Sequence, residues 1–172
     1  MSTILAIQTG GTIDKDYPRT LGGYAFEICE PAVERMFNKI QTNFQITYQT
    51  VCRKDSQDIT DEDRSNIFLA CREAPQSKIL ITHGTDTMIE TAEYLARKED
   101  LSHKVIVITG SFKPDTFKDS DAEFNVGVAI GALQCLNGQG VYIAMNGCVY
   151  SWKAVQRDAV TGKFVSKGEK MK

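Results

Sequence analysis

Residues 78–87 read KILITHGTDT, an apolar, β-rich run that stops abruptly in small polar residues. Three more segments share this grammar: ILAIQ at 4–8 running into TGGT, VIVIT at 105–109 into GSFKPD, and VYIAM at 141–145 into NGCVYS. Apolarity that is continuous rather than alternating predicts strands buried on both faces, as in a parallel sheet. A fifth run, FQITYQTVC at 44–52, alternates more and ends in RKDSQD.

Helical patterns fill the intervals. EPAVERMFNKI at 30–40 places Pro31 where a first helical turn tolerates it. In TDEDRSNIFLACREA at 60–74, Thr60 is the expected N-cap, Asp63 takes the capping-box position, and acids crowd the positive end of the dipole. TMIETAEYLARKE at 87–99 carries the same signature in Thr87 and Glu90, and DAEFNVGVAIGALQCL at 121–136 is the last. The resulting order βαβαβαβαβ predicts an α/β fold: a doubly wound, mostly parallel sheet with helices on both faces, a flavodoxin-like three-layer sandwich. A chain of 172 residues buries roughly 70% of its unfolded surface, enough for one domain spanning 1–172. Residues 14–26, DKDYPRTLGGYAF, form one long polar connection expected to act as a mobile lid, and the tail from 162 reads as a solvated terminus.

Composition narrows the function classes. A net charge of −2 without any dense Lys/Arg block argues against nucleic acid and anionic membranes as partners and leaves small neutral or zwitterionic ligands. The N-terminal MSTILAIQTGG has no basic region, and no window reaches the ~20 apolar residues needed to cross a bilayer, which reads as a cytoplasmic protein. Five scattered cysteines with no CxxC pair, joined by only two histidines, read as buried or partly buried free thiols rather than a zinc site or disulfide framework. No metal or other cofactor is expected.

In open parallel sheets ligands bind beyond the carboxyl ends of the strands, so TGGT, DSQD and HGTDT are expected to converge. A phosphate site fails on spacing: neither GxGxxG nor GxxxxGK is present, and Asp14 and Asp16 would repel an anion. The alternative is a nucleophile on a glycine-permitted turn, where backbone approaches a carbonyl closely and Thr9 or Thr12 supplies the hydroxyl. Threonines in such turns also commonly satisfy backbone groups. HGTDT adds Thr85 and Asp86, although Asp86 and Thr87 are equally at home at a helix N-terminus.

TGGTI at 9–13 followed by ITHGTDTMIETAEYL at 81–95 resembles the two signature segments of the bacterial-type L-asparaginase/glutaminase family, the threonine amidohydrolases. DSQDIT at 55–60, DAEFN at 121–125 and AMNG at 144–147 extend the resemblance over most of the sequence. It implies hydrolysis of L-asparagine to L-aspartate and ammonia, with Thr12 as nucleophile and Tyr24 as its activator, Tyr17 being a rival. It further implies that Gly11, Ser56, Gln57, Thr85 and Asp86 hold the substrate, Asp86 taking the ammonium. A family lysine that couples to the second threonine is matched by Arg157 in register and by Lys153 in chemistry, since a guanidinium cannot serve as a base. The family's usual length is about twice as great, so the resemblance implies a short, single-domain form without the usual C-terminal domain, sheltered as a homodimer or homotetramer. A non-catalytic asparagine or aspartate sensor, and an amidase preferring glutamine or a larger amide, are the alternatives.

Overall fold

The computed structural model describes residues 2–18 and 26–168. Five strands, β1 (Thr3–Gly10), β4 (Gln45–Lys54), β5 (Lys78–Thr82), β6 (Val105–Thr109) and β7 (Gly140–Met145), run parallel in the order β4-β1-β5-β6-β7. Between β1 and β4 lie a two-residue ribbon, β2 (Lys15–Asp16) against β3 (Glu27–Ile28), and the short helix α1 (Ala32–Phe37). The other helices are α2 (Asp61–Glu73), α3 (Met88–Ala96) and α4 (Ala122–Cys135).

Alternation of side chains in the central strands divides the core in two. Leu5, Ile7, Ile79, Ile81, Ile106 and Ile108 point to a layer formed by α2 and α3, through Ile67, Cys71, Met88, Ala92 and Leu95. Ile4, Ala6, Leu80, Val105 and Val107 point to the opposite layer, where α1 supplies Val33 and Met36 and α4 supplies Val126, Ala129 and Leu133. Each fully buried aliphatic contributes about 1.5–3 kcal/mol, so neither face tolerates polar substitution. The doubly wound, three-layer arrangement is thus the one expected. β4 alternates because it is the sheet edge, with residues open to solvent along its length.

Several local expectations differ from the structure. The first helix is confined to Ala32–Phe37, with Pro31 as its extended N-cap and residues beyond Asn38 leaving the helix. Asn146 and Gly147, with φ of 54° and 79°, form a two-residue turn of the kind that matches strand twist, and it leads into an antiparallel edge strand, β8 (Cys148–Ser151). Two further short strands, β9 (Val155–Arg157) and β10 (Phe164–Ser166), pair antiparallel. Residues 163–168 are therefore not a solvated tail: Phe164 and Val165 are buried, and the Phe164 N–H donates to Asn146 Oδ1 at 2.9 Å. Of the cysteines, Cys71 is buried and Cys29 and Cys52 are partly so, but Cys135, the last residue of α4, and Cys148, the first of β8, are exposed.

Candidate active site at the carboxyl end of the sheet

The polypeptide moves from β1 to β4 on one side and then to β5 on the other, so the carboxyl ends of β1 and β5 flank the point where strand order reverses. Three exits meet there. Gly11 has φ +86°, and a Cβ on it would lie 2.4 Å from the Gly84 nitrogen; a Cβ on Gly84 would lie 2.7 Å from Ser56 Cβ and Oγ. Only glycine permits this approach, which stacks the exits of β1, β5 and β4. The Gly11 N–H is itself bonded to the Lys54 carbonyl at 2.9 Å. Its contribution is therefore backbone proximity rather than donation to a ligand.

The two threonines of the first exit separate cleanly. Thr9 is fully buried and donates to the Thr82 carbonyl at 2.8 Å, tying β1 to β5. Thr12 opens a short 3-10 turn, Thr12–Asp14, and is partly exposed. Tyr24 lies outside the described residues. Tyr17 is exposed and packs on Phe26 with ring centroids 3.9 Å apart.

Ser56 and Gln57 enter from a 3-10 turn directly after β4. Ser56 Oγ accepts from the N–H groups of Asp86 and Thr87 at 3.1 and 3.3 Å, while the Thr87 hydroxyl donates to the Ser56 carbonyl at 2.6 Å. The capping box expected from Thr87 and Glu90 is absent, and the N–H of the N-cap Thr87, with that of Asp86 before it, is instead taken by Ser56, some thirty residues earlier in the chain. At α2 the expected reciprocal Thr60–Asp63 box is present. Gln57 Nε2 donates to Asp86 Oδ2 at 2.8 Å.

Arg157 completes the cluster. Its Nη1 donates to the Thr85 carbonyl at 2.8 Å and lies 3.8 Å from Asp86 Oδ1. The guanidinium sits over the rings of Phe164 and Phe112, 5.0 and 5.5 Å from their centroids. Lys153 is not brought to the site. It lines a groove of about 660 Å³ at the amino end of the sheet, beside Leu95, Lys98 and Gly140. The residues from 152 to 154 pack on the C-terminal end of α3, and β9 then returns to its N-terminus, a helix ~13 Å long at 1.5 Å per residue. Of the two candidates, Arg157 lies beside Thr85 and Asp86, whereas Lys153 lines the groove away from them.

Two buried titratable groups underlie the exits. Asp14 is wholly buried; Oδ1 accepts from the Ala32 N–H at 2.7 Å, and Oδ2 makes no hydrogen bond among the described residues. Burial pushes its carboxyl up to about 6, against the opposing effects of the Ala32 N–H, Gln8 and Arg35. Asp14 is therefore not part of a lid; its carbonyl also accepts from the Cys29 N–H at 2.8 Å, anchoring the far end of that connection. His83 is fully buried and pushed down to about 4 by desolvation, so its ring is neutral. Nδ1 donates to the Gly84 carbonyl at 2.7 Å, leaving Nε2 to accept from the Thr91 hydroxyl at 2.8 Å. The sequence reading missed the structural weight of Asp14 and the aromatic pair around Arg157.

Fold and site together define an α/β domain whose switch-point strand exits carry hydroxyls, an amide and a carboxylate. Residues 3–163 match the asparaginase N-terminal domain model, and the chain belongs to the asparaginase family. It is 27% identical to a glutaminase-asparaginase of Pseudomonas fluorescens, covering 91% of this chain and 46% of that protein. A probable periplasmic L-asparaginase of Haemophilus influenzae is 30% identical over 92% of this chain and 46% of its own length. The crystal structure of a probable cytoplasmic L-asparaginase from Campylobacter jejuni superimposes with a TM-score of 0.82 at 25% identity, over 96% of this chain and 53% of that one. The chain thus spans about half the length of the relatives it matches, and those relatives are named for two different compartments. Among the described residues, no helix is long and apolar enough to cross a membrane.

Proposed function

We propose that the protein is an amidohydrolase that converts L-asparagine to L-aspartate and ammonia with Thr12 as nucleophile, and with lesser action on glutamine. The observation that supports this reading is the close stacking of Gly11, Gly84 and Ser56, which draws together the strand exits that carry Thr12, the Ser56–Gln57 pair and the Thr85–Asp86 pair. Thr12 Oγ attacks the carboxamide carbon of the substrate and the hydroxyl proton passes to the leaving nitrogen; the C–N bond breaks, ammonia departs, and an aspartyl ester remains. Water then adds to the ester carbon, the C–Oγ bond breaks, and Thr12 is restored. Tyr24 is assigned to activate Thr12 by the family resemblance. Arg157 replaces the base expected beside Thr85 and acts as a fixed positive charge, supported by its bond to the Thr85 carbonyl.

Gln57 suits the α-groups of the amino acid because it already bonds the Asp86 carboxylate, and Ser56 holds the backbone of Asp86 beside it. We place the activity in the cytoplasm, the compartment named for the Campylobacter jejuni neighbour, and in a homodimer or homotetramer, which the exposed rings of Tyr17, Phe26 and Phe117 support. A sensor that binds without turnover is favoured by one observation, the guanidinium where a base is expected.

A coupled ammonia assay on asparagine and glutamine decides between these readings. Thr12→Ala should lower release from asparagine by roughly a thousandfold or more while the far-UV spectrum is unchanged. Wild-type turnover in that variant would overturn the nucleophile, and calorimetric binding with no ammonia over hours would establish the sensor. Discrimination between the two amides rests on one methylene, worth about 1–3 kcal/mol.

A further inference from the structure

Asp86 is the carboxylate available to a ligand's ammonium, yet it is engaged from both sides. Gln57 donates to Oδ2 at 2.8 Å and Arg157 Nη1 stands 3.8 Å from Oδ1. The guanidinium cannot swing away cheaply: it is bonded to the Thr85 carbonyl at 2.8 Å and packed over Phe164, which is 1% exposed, and Phe112. An incoming ammonium at Asp86 would therefore meet a fixed cation of like sign within a few ångströms of the same carboxylate. A neutral amide N–H would not. It can still donate to a carboxylate oxygen, and its acyl substituent has a way out because the Asp86 side chain is 51% exposed. Phe112, 40% exposed beside Arg157, offers that substituent an apolar face.

We propose that Arg157 and Asp86 form a charge-compensated subsite that selects primary β-carboxamides whose α-nitrogen is acylated or absent, N-acylated asparagine foremost, over free L-asparagine. The inference rests on the amidohydrolase reading and changes only its substrate. Hydrolysis proceeds as above: the C–N bond of the carboxamide breaks, water supplies the new oxygen, and the products are the N-acylated aspartate and ammonia.

The test compares ammonia release by the wild-type protein from N-acetyl-L-asparagine, succinamate and L-asparagine. The kcat/KM for N-acetyl-L-asparagine and for succinamate should exceed that for L-asparagine by roughly tenfold or more, the scale on which one misplaced charge acts. Arg157→Gln should collapse the ratio toward one by raising activity on the free amino acid relative to the others. Removing a guanidinium from between two rings threatens folding, so Arg157→Lys is the second variant; it keeps the charge and should keep the ratio above one. A wild-type preference for L-asparagine, or a ratio that Arg157→Gln leaves unmoved, overturns the proposal while leaving the amidohydrolase reading standing. Calorimetry on Thr12→Ala separates the two failures. Tighter binding of N-acetyl-L-asparagine than of L-asparagine without any turnover in the wild type would sink the hydrolase and support the subsite, whereas equal or weaker binding would sink the subsite.

Discussion

The exits of β1 and β5 share a Thr-x-Gly-Thr pattern, Thr9 to Thr12 and Thr82 to Thr85, and each leads over a buried titratable group, yet they are held differently. Beneath the second exit, His83 has both ring nitrogens bonded and Ser56 caps the following helix. Beneath the first, Asp14 has one oxygen bonded and the other unsatisfied among the described residues. The second exit is a settled platform. The first carries a standing electrostatic cost next to the residue assigned to attack. A strand-exit motif therefore does not fix its own rigidity; what lies under it does.

Breaking the contact between the exits should have the largest effect. Gly11→Ala places a Cβ against the Gly84 backbone at a φ of +86°, and the combined clash and strain should cost on the order of 3 kcal/mol, with ammonia release lost. Denaturant melts with a parallel activity assay check this; unchanged stability would show that the exits do not touch.

The two buried groups sharpen the comparison through pH. Asp14 stays protonated in the folded state up to about pH 6 but ionises near 3.8 when unfolded, so the folded state binds more protons in between. Stability from this group is greatest below pH 4, falls as pH rises to 6, and stays lower by about 3 kcal/mol beyond it. His83 has the opposite slope: the unfolded state takes up its proton near 6.5 and the folded state near 4, so stability is present above 6.5 and is lost as pH falls toward 4. In the wild type the two nearly cancel. Asp14→Asn removes one of them, so its melting temperature should rise above the wild type at pH 7.5 and drop steeply between 6.5 and 4. A variant that tracks the wild type across that range would show that Asp14 is not held as described.

Capping gives the smaller effects. Ser56→Ala removes the acceptor for the Asp86 and Thr87 N–H groups just ahead of α3 and should cost about 1–2 kcal/mol together with a raised KM. Thr60→Ala removes the local cap of α2 and should cost about 1 kcal/mol with kcat and KM unchanged. Equal kinetic effects from the two would erase the distinction between a cap at the site and a cap elsewhere.

What could be read from the sequence follows from how local each feature is. The strands announce themselves because β1, β5, β6 and β7 are buried on both faces, which leaves an unbroken apolar signature. The Thr60–Asp63 box lies within four residues, and it is legible for that reason. Thr12, Ser56 and Gln57, Thr85 and Asp86 are recognisable as residues of strand exits, and the switch-point topology explains why those exits lie together. The Ser56 cap is not legible, because it spans thirty residues and Thr87 with Glu90 offers a sufficient local imitation. Asn146–Gly147 does carry the hairpin signal, but it reads equally as one more strand exit. Asp14 looks like a solvent-facing acid because nothing in DKDYP reveals that the Ala32 N–H closes over it.

The Gly11–Gly84–Ser56 stack has a consequence for anyone rebuilding the crevice. These three positions touch with no room for a β-carbon on either glycine, so the loops after β1, β4 and β5 behave as one heritable part. A loop transplanted alone from a longer relative would arrive with its own spacing and strike the other two. Recombination experiments should therefore exchange the three together, with chimaera boundaries inside the strands rather than at their ends.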